Sequence, residues 1–192
     1  MDKNRHTIHI GASHSFRKPQ TKKEFGFSLR PGAHISSKYL TALVEDVNHV
    51  NAFNFETSFV LNSIAIQSEY LHVTAKNNLK NEKFDSFYVQ TSYFLTGERR
   101  AYKNALNGFG RVIPKSNFGD GGTGAFEFAL RFSSATGLNN DRMNVFTAGL
   151  NWHLNSATRI MLNQIISNID NTTQYTGKGT FKAFQMRFQI DF

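Results

Sequence analysis

The stretch Lys182–Phe192, KAFQMRFQIDF, alternates without a break between large apolar side chains and small or polar ones. In an extended strand successive side chains point to opposite faces, so this segment has one apolar face and one polar face. The apolar face carries Phe184, Met186, Phe188, Ile190 and Phe192, and the opposite face carries Ala183, Gln185, Arg187, Gln189 and Asp191. This pattern is typical of a wall strand in a membrane barrel, where one face meets lipid and the other meets water. A strand of a soluble sandwich with a polar outer face shows the same alternation, so the rest of the chain has to distinguish a membrane barrel from a soluble sandwich.

Length and hydropathy exclude a helical membrane protein but leave a membrane barrel open. The chain has 192 residues, 40% of them hydrophobic, and its mean hydropathy is −0.40. It contains no run of apolar residues long enough for a membrane helix, which needs about 18 or more. Barrel strands average to a weak signal because half of their side chains face water. The chain has 19 Phe and no Cys, and absence of Cys suits an envelope protein and a cytosolic one equally.

The chain is strongly basic. It carries 22 Lys and Arg against 14 Asp and Glu, a net charge of +8. Such a balance fits nucleic acid, an anionic surface or small anions as partners. The first residues, MDKNRHTIHIG, lack the apolar stretch of a secretory signal. For an outer-membrane protein we therefore expect the sequence to be a mature form or a fragment.

Alternation and turn residues predict nine strands, most of about ten residues, the length that a tilted strand needs to cross a bilayer. We expect residues 32–49 to form a loop, with a short helical turn over TALVEDV, Thr41–Val47, as the alternative. The predicted strands are Thr7–Arg17, Phe25–Arg30, Val50–Leu61, Ile64–Tyr70 and its continuation, Phe84–Gly97, Gly124–Ser134, Asn144–Leu154, Thr158–Asp170 and Lys182–Phe192.

The predicted connections differ between the two ends of the strands. Short turns at 62–63 and 155–157 belong to one rim, and polar loops at 76–83, 134–143 and 171–180 belong to the other. In outer-membrane barrels the short-turn rim is periplasmic. The same parity makes segment 98–123 a periplasmic connection, and it is both long and basic. A connection of this length inside a compact domain is usually functional.

Several strings in fixed order resemble one known family. YVQTSYFLTGERRAY, GFGRVIPKSNF, GAFEFALRFS, AGLNWHLNSATRIMLN and QMRFQIDF are similar to the C-terminal half of the phosphate-selective porin O and P family. The resemblance implies a sixteen-stranded outer-membrane barrel, usually trimeric, that passes phosphate or related anions through a lumen lined with arginine and lysine. This chain departs from the family in holding about nine strands, so we expect part of such a barrel. An isolated nine-stranded sheet would leave two edges unpaired in lipid.

Two sets of basic residues are candidates for an anion pathway. Alternation places the first set on the polar faces of four different strands, where the planar guanidinium can meet phosphate oxygens bidentately. The resemblance implies that a basic loop folded into the lumen supplies the second set. The first set is Arg30, Arg131, Arg159 and Arg187, and the second is Arg99, Arg100, Lys103, Arg111 and Lys115.

A plainer interpretation remains open for both sets. Arginines on the polar face can form wall-stiffening salt bridges with Glu56, Glu69, Glu127 or Asp191. Arg131 with Glu127 and Arg187 with Asp191 are the pairs that sequence proximity suggests. Segment 98–123 can equally be a solvated periplasmic loop.

Other chemistry finds little support in the sequence. We identify no nucleophile, base and orienting group in a plausible set, so we expect no enzyme and no catalytic residues. His6, His9 and His14 match no metal-ligand spacing, and GDGGTG at 119–124 lacks the Lys-Ser/Thr ending of a phosphate loop. We expect neither a metal nor a cofactor.

The sequence therefore predicts one all-β domain over residues 1–192, an antiparallel transmembrane barrel of porin type. Its expected function is an anion channel in the bacterial outer membrane. Its expected partners are phosphate or other small anions, outer-membrane lipid and, for the complete barrel, two further copies in a homotrimer; nucleic acid is not expected. The alternative is a soluble or secreted β-barrel that binds a ligand inside, which would need the apolar faces turned inward.

Overall fold

The computed structural model describes residues 6–104, 108–172 and 175–191, and these residues form an all-β structure. Twelve strands and one short 3-10 turn, Leu138–Asn140, lie within them. The strands are β1 Thr7–Arg17, β2 Phe25–Leu29, β3 Leu40–Val44, β4 His49–Leu61, β5 Ile64–Lys76, β6 Asn81–Phe94, β7 Tyr102–Asn104, β8 Gly108–Phe109, β9 Ala125–Thr136, β10 Arg142–His153, β11 Thr158–Thr172 and β12 Tyr175–Ile190.

Eight long strands form one antiparallel sheet in the order β1-β4-β5-β6-β9-β10-β11-β12. Each strand pairs with the next long strand in the chain, and within the described residues the sheet is open, with β1 and β12 at its edges. The long strands predicted from alternation are confirmed with one exception. Phe25–Leu29 is not a wall strand, because it pairs with β3 in a separate two-stranded sheet. That second strand, Leu40–Val44, lies in the segment that we expected to be a loop.

The two rims differ as predicted, although the loops are shorter. Leu61 and Ile64 are joined by a two-residue hairpin turn in which Asn62 has a φ of +50°, a conformation that asparagine tolerates well. At the opposite rim, β5 and β6 extend so far that only residues 77–80 connect them. There the Asn77 side-chain oxygen accepts hydrogen bonds from the backbone N–H groups of Leu79 and Lys80, both at 2.9 Å. We call the two ends the short-turn rim and the loop rim.

One face of the main sheet is apolar and bare. Phe184, Met186 and Phe188 of β12 are 68%, 73% and 60% exposed. The same face carries exposed apolar side chains on each of the seven remaining long strands of the main sheet, Phe55 and Phe128 among them. We call it the apolar face. A barrel that binds ligand in its interior would enclose these side chains, so their exposure contradicts the alternative prediction.

The opposite face is covered, and we call it the covered face. The β2–β3 hairpin packs on it near the loop rim, where Leu40 and Val47 become almost fully buried against the long strands. Ile165 of β11 is 2% exposed beneath this hairpin. This contact explains why Ile165, an apolar residue at a position that alternation assigns to the polar face, interrupts the pattern of its strand.

The apolar side chains form a band that runs diagonally across the sheet. One row of register partners joins Ile8, Phe59, Ile66, Thr91, Leu130, Ala148, Gln164 and Phe184. On β1 the apolar stretch extends from Ile8 toward the loop rim, up to Phe16. On β12 it extends from Phe184 toward the short-turn rim, down to Ile190. The band therefore shifts by about one residue per strand, which at the usual strand spacings corresponds to a tilt of roughly 35°.

Candidate functional site

The basic segment between β6 and β9 leaves the short-turn rim and lies on the covered face. Its main anchor is Arg100, whose Nε and Nη2 both donate to Glu127 Oε1, at 2.9 and 2.6 Å. Glu127 is fully buried. Its other oxygen, Oε2, accepts from Asn151 Nδ2 at 2.9 Å and lies 3.3 Å from His153 Nε2. Because these bonds satisfy a carboxylate with no access to water, they fix the position of the segment against β9 and β10.

A second anchor joins the segment to β1. Tyr102 Oη lies 2.7 Å from His9 Nδ1, and His9 Nε2 lies 2.9 Å from Glu56 Oε1. Glu56 occupies the space beside Gly11, where a Cβ atom would come within 2.8 Å of Oε1. Glycine at position 11 therefore makes room for the carboxylate. Arg99 adds a bond from Nη2 to Thr7 Oγ1 at 3.1 Å.

Hydrogen bonds within the segment join its first residues to Lys115. The buried carboxylate of Glu98 accepts from the Lys115 backbone N–H at 3.1 Å and from the Thr96 hydroxyl. Lys115 Nζ in turn donates to the carbonyl oxygen of Thr96 at 3.1 Å. Lys115 thus has a role within the connection itself.

Arg100 lines two cavities that open on the covered face. The first has a volume of about 270 Å³ and lies at the short-turn rim, with Arg111 and Arg159 in its wall. The second has a volume of about 200 Å³ and lies further along the sheet, with Arg131 and Asn163 in its wall. Four of the nine arginines and lysines predicted from the sequence therefore converge on adjoining spaces.

Arg131 keeps its positive charge uncompensated. Its Nη1 donates to Gln90 Oε1 at 3.1 Å, and its guanidinium lies over the Tyr88 ring, 3.8 Å from the centroid. Both partners are neutral, and no ion pair with a described carboxylate is formed. A guanidinium oriented by neutral groups remains available to an anion.

Arg159 and Arg187 resemble Arg131 in this respect. Arg159 donates twice to Gln189 Oε1, at 3.2 and 2.9 Å. Arg187 is exposed and has no hydrogen-bond or ion-pair partner in the described part of the chain. The salt bridges suggested by sequence proximity do not form: Glu127 pairs with Arg100 and not Arg131. Positions four apart on one strand share a face but lie about 13 Å apart, too far for an ion pair.

Arg30 and Lys103 do not line either of these cavities. Arg30 follows β2 on the hairpin toward the loop rim, and its Nε donates to the Ser36 carbonyl oxygen at 2.9 Å. Lys103 lies exposed on β7, and its side chain runs beside Gly110. Sequence analysis missed Glu127 as the center of the Arg100 anchor, and it also missed the Tyr102–His9 contact. Both contacts join residues that are far apart in the chain, and no local sequence pattern predicts them.

Residues 6–104, 108–172 and 175–191 contain no helix that is long and apolar enough to span a membrane. Nor do they bring together three or more His, Asp or Glu side chains in a group that could hold a metal ion.

Comparison with known proteins identifies the family. The sequence profile described as phosphate-selective porin O and P matches residues 7–192. Porin O of Pseudomonas aeruginosa is 26% identical over 159 residues, which cover 74% of this chain and 35% of that protein. An uncharacterized protein of Caulobacter vibrioides is 26% identical over 164 residues, which cover 81% of this chain and 33% of that protein. The chain spans about a third of the length of these curated relatives. Because the family profile matches nearly the whole chain, the chain belongs to the phosphate-selective porin O and P family.

Proposed function

We propose that this chain forms part of the wall of a channel in the bacterial outer membrane that passes phosphate or similar small anions. The observation that carries the proposal is the contrast between the two faces of one sheet. The apolar face is bare over every long strand. The covered face presents Arg131, Arg159 and Arg187 without carboxylate partners among the described residues.

The diagonal course of the apolar band supports the placement in a membrane. In a barrel the strands tilt by about 35–45°, so a horizontal layer of lipid meets each successive strand at a different residue. A band that shifts by about one residue per strand is what such a tilt requires. A soluble sheet packed against another sheet has no reason to expose this band to solvent.

The uncompensated arginines lie at two levels of the wall, which supports a path for anions. The row of Glu127 runs through Asn151 and Met161 to Arg187. With a shift of about one residue per strand, Arg131 and Arg187 lie at similar depths toward the loop rim, and Arg159 lies about 10 Å from them toward the short-turn rim. Separate sites of moderate strength let an ion pass from one to the next without being trapped. In this proposal Arg100 holds the basic segment in place, because Glu127 already compensates its charge.

The open edges of the sheet support a larger barrel. β1 and β12 would each present unpaired backbone groups to hydrocarbon, which costs several kcal/mol per group. We therefore propose that further strands, outside this chain, close the wall into the sixteen-stranded barrel that the family resemblance implies. Assembly of three such barrels is proposed on the same resemblance.

Ion selectivity tests the proposal directly. In planar bilayers, a barrel carrying this chain should show a reversal potential in a salt gradient that reports preference for anions. Replacing Arg131, Arg159 and Arg187 together with glutamine should shift that potential toward cation permeability, because the fixed positive charges are removed from the wall. Arg142→Gln on the apolar face is the matched control and should leave the potential unchanged. A reversal potential that is the same in all three proteins would remove these arginines from the pathway.

A further inference from the structure

A row of cations borders the apolar band on the side of the loop rim. Lys83 precedes Phe87 and Val89 on the apolar face of β6, and Arg142 precedes Phe146 on the apolar face of β10 in the same way. We call the whole set the basic belt. It consists of Lys76, Lys83, Arg142, Lys178 and Lys182, all of which are exposed.

The register places these cations at the upper limit of the band and follows its diagonal. Arg142 pairs with Asp170, and Asp170 pairs with Lys178. On β12 the band ends lower, at Phe184, and Lys182 is the next side chain on that face. Lys83, Arg142 and Lys182 therefore track the border of the band from strand to strand, as groups at similar membrane depths would, and Lys178 lies about 13 Å beyond Lys182 along β12.

The positive charge of the belt is largely uncompensated. Asp85 and Asp170 are the carboxylates on the same border among the described residues. Asp85 is already engaged, since Tyr70 Oη donates to its Oδ1 at 2.5 Å and His72 Nδ1 lies 2.8 Å from that oxygen. None of the five cations forms an ion pair with a described carboxylate. Five positive groups thus face two negative ones.

The border of the band on the side of the short-turn rim carries aromatic side chains. There the Trp152 ring stacks on Phe126 with centroids 5.5 Å apart and meets the edge of Phe118 at 5.0 Å. Trp152 Nε1 donates to the Thr123 carbonyl oxygen at 2.8 Å. Aromatic groups with a polar tip settle at a membrane interface of any charge. Among the described residues of the apolar face, Lys and Arg lie at the border on the side of the loop rim, which indicates a partner present in one leaflet.

We propose that the basic belt binds the phosphate groups of anionic lipid headgroups in the leaflet on the side of the loop rim. The proposal rests on the membrane placement argued above. Lysine and arginine just above a hydrocarbon band lie at the depth of the headgroups, and each is attracted to an anionic lipid surface. A lipid also fills the exposed apolar surface directly below the belt with its acyl chains, which a free phosphate ion cannot do.

Spin-labelled lipids give a direct test. A complete barrel carrying this chain is reconstituted in phosphatidylcholine vesicles that contain a trace of spin-labelled phosphatidic acid or of spin-labelled phosphatidylcholine. We expect the phosphatidic acid to associate with the protein surface about fivefold more strongly than phosphatidylcholine, the preference that one net charge contributes near such a surface. The variant with Lys83, Arg142, Lys178 and Lys182 all replaced by glutamine should bind the two lipids about equally. The variant with Arg131, Arg159 and Arg187 replaced by glutamine, all on the covered face, should keep the preference.

The outcomes separate this inference from the proposed function. Motionally restricted lipid without a preference for phosphatidic acid would overturn the basic belt as a lipid site and leave the membrane placement intact. Absence of any restricted lipid would overturn the membrane placement itself. Disulfide formation between two copies carrying Lys83→Cys would assign the belt to a contact between chains and overturn the lipid proposal. If the fourfold variant fails to refold, the comparison of the two lipids on the unaltered barrel still overturns the inference when it shows no preference.

Discussion

Glu127 is the residue on which the placement of the basic segment depends most directly. It is fully buried and binds Arg100, Asn151 and His153. Glu127→Gln should lower the free energy of unfolding by about 3 kcal/mol, because the Arg100 guanidinium then stays partly buried without its counter-charge. Urea unfolding in a fixed detergent measures this.

Glu45→Gln is the control for that substitution. Glu45 is exposed, and its carboxylate has no partner among the described residues, so the change should stay within about 0.5 kcal/mol. Equal stability of Glu127→Gln and the unaltered chain would show that Arg100 does not need the carboxylate.

Two glycines with similar backbone angles provide a second test at this scale. Gly124 has a φ of +72° and Gly121 a φ of +78°. A Cβ at Gly124 would overlap the His153 carbonyl oxygen, whereas a Cβ at Gly121 meets open space. Alanine at either position costs about 1 kcal/mol for the left-handed backbone. Gly124→Ala should cost a further 1–3 kcal/mol or so for the overlap. Thermal unfolding of the two variants side by side measures the difference, and indistinguishable midpoints would contradict the close approach of β10 to Gly124.

At the scale of elements, the β2–β3 hairpin provides the clearest prediction. Leu40 and Leu43 both lie on β3, and they are 0% and 56% exposed. Leu40→Ala should destabilise the chain by about 3 kcal/mol, since it leaves a cavity between the hairpin and the covered face. Leu43→Ala should change the stability by about 0.5 kcal/mol or less. Urea midpoints for the pair decide it: equal effects would mean that the hairpin does not pack on the covered face.

The same hairpin shows what alternation can and cannot predict. Phe25, Phe27 and Leu29 alternate as a wall strand does, and the sequence correctly predicts a strand with one apolar face. Alternation does not say what that face contacts. Here it contacts Phe84 on the covered face, and the strand is only five residues long, too short to cross a bilayer.

Contacts within the candidate site were beyond prediction for a different reason. The alternation of β9 correctly placed Glu127 and Arg131 on one face, confirmed by the register. The partner of Glu127 comes from a long irregular segment whose path no periodicity specifies. Which arginine is compensated and which stays free therefore emerges only from the three-dimensional structure.

At the scale of the whole molecule, strand patterns and register together contain information that neither contains alone. Each strand gives the limits of its own apolar stretch, and the register aligns those limits from strand to strand. Ile10 and Lys182 belong to one row of register partners. Ile10 lies inside the apolar band and Lys182 lies outside it. If the strands stood upright in the membrane, one row would lie at one depth, and this difference would have no explanation.

Depth measurements on single cysteines test the tilt. The chain contains no native cysteine, so Ile10→Cys and Lys182→Cys can each be labelled in a complete barrel that carries this chain, reconstituted in vesicles, with the barrel without an introduced cysteine as the background. A water-soluble thiol reagent should modify position 182 rapidly, because the proposed membrane placement puts that side chain at headgroup depth. It should modify position 10 at least about tenfold more slowly, since hydrocarbon excludes the charged reagent. Met186→Cys, on the same edge strand as Lys182 and two positions below Phe184, is the matched control and should be as protected as position 10. Equal rates at 10 and 182 would place the row at one depth and remove the tilt, and with it the main physical support for a barrel wall.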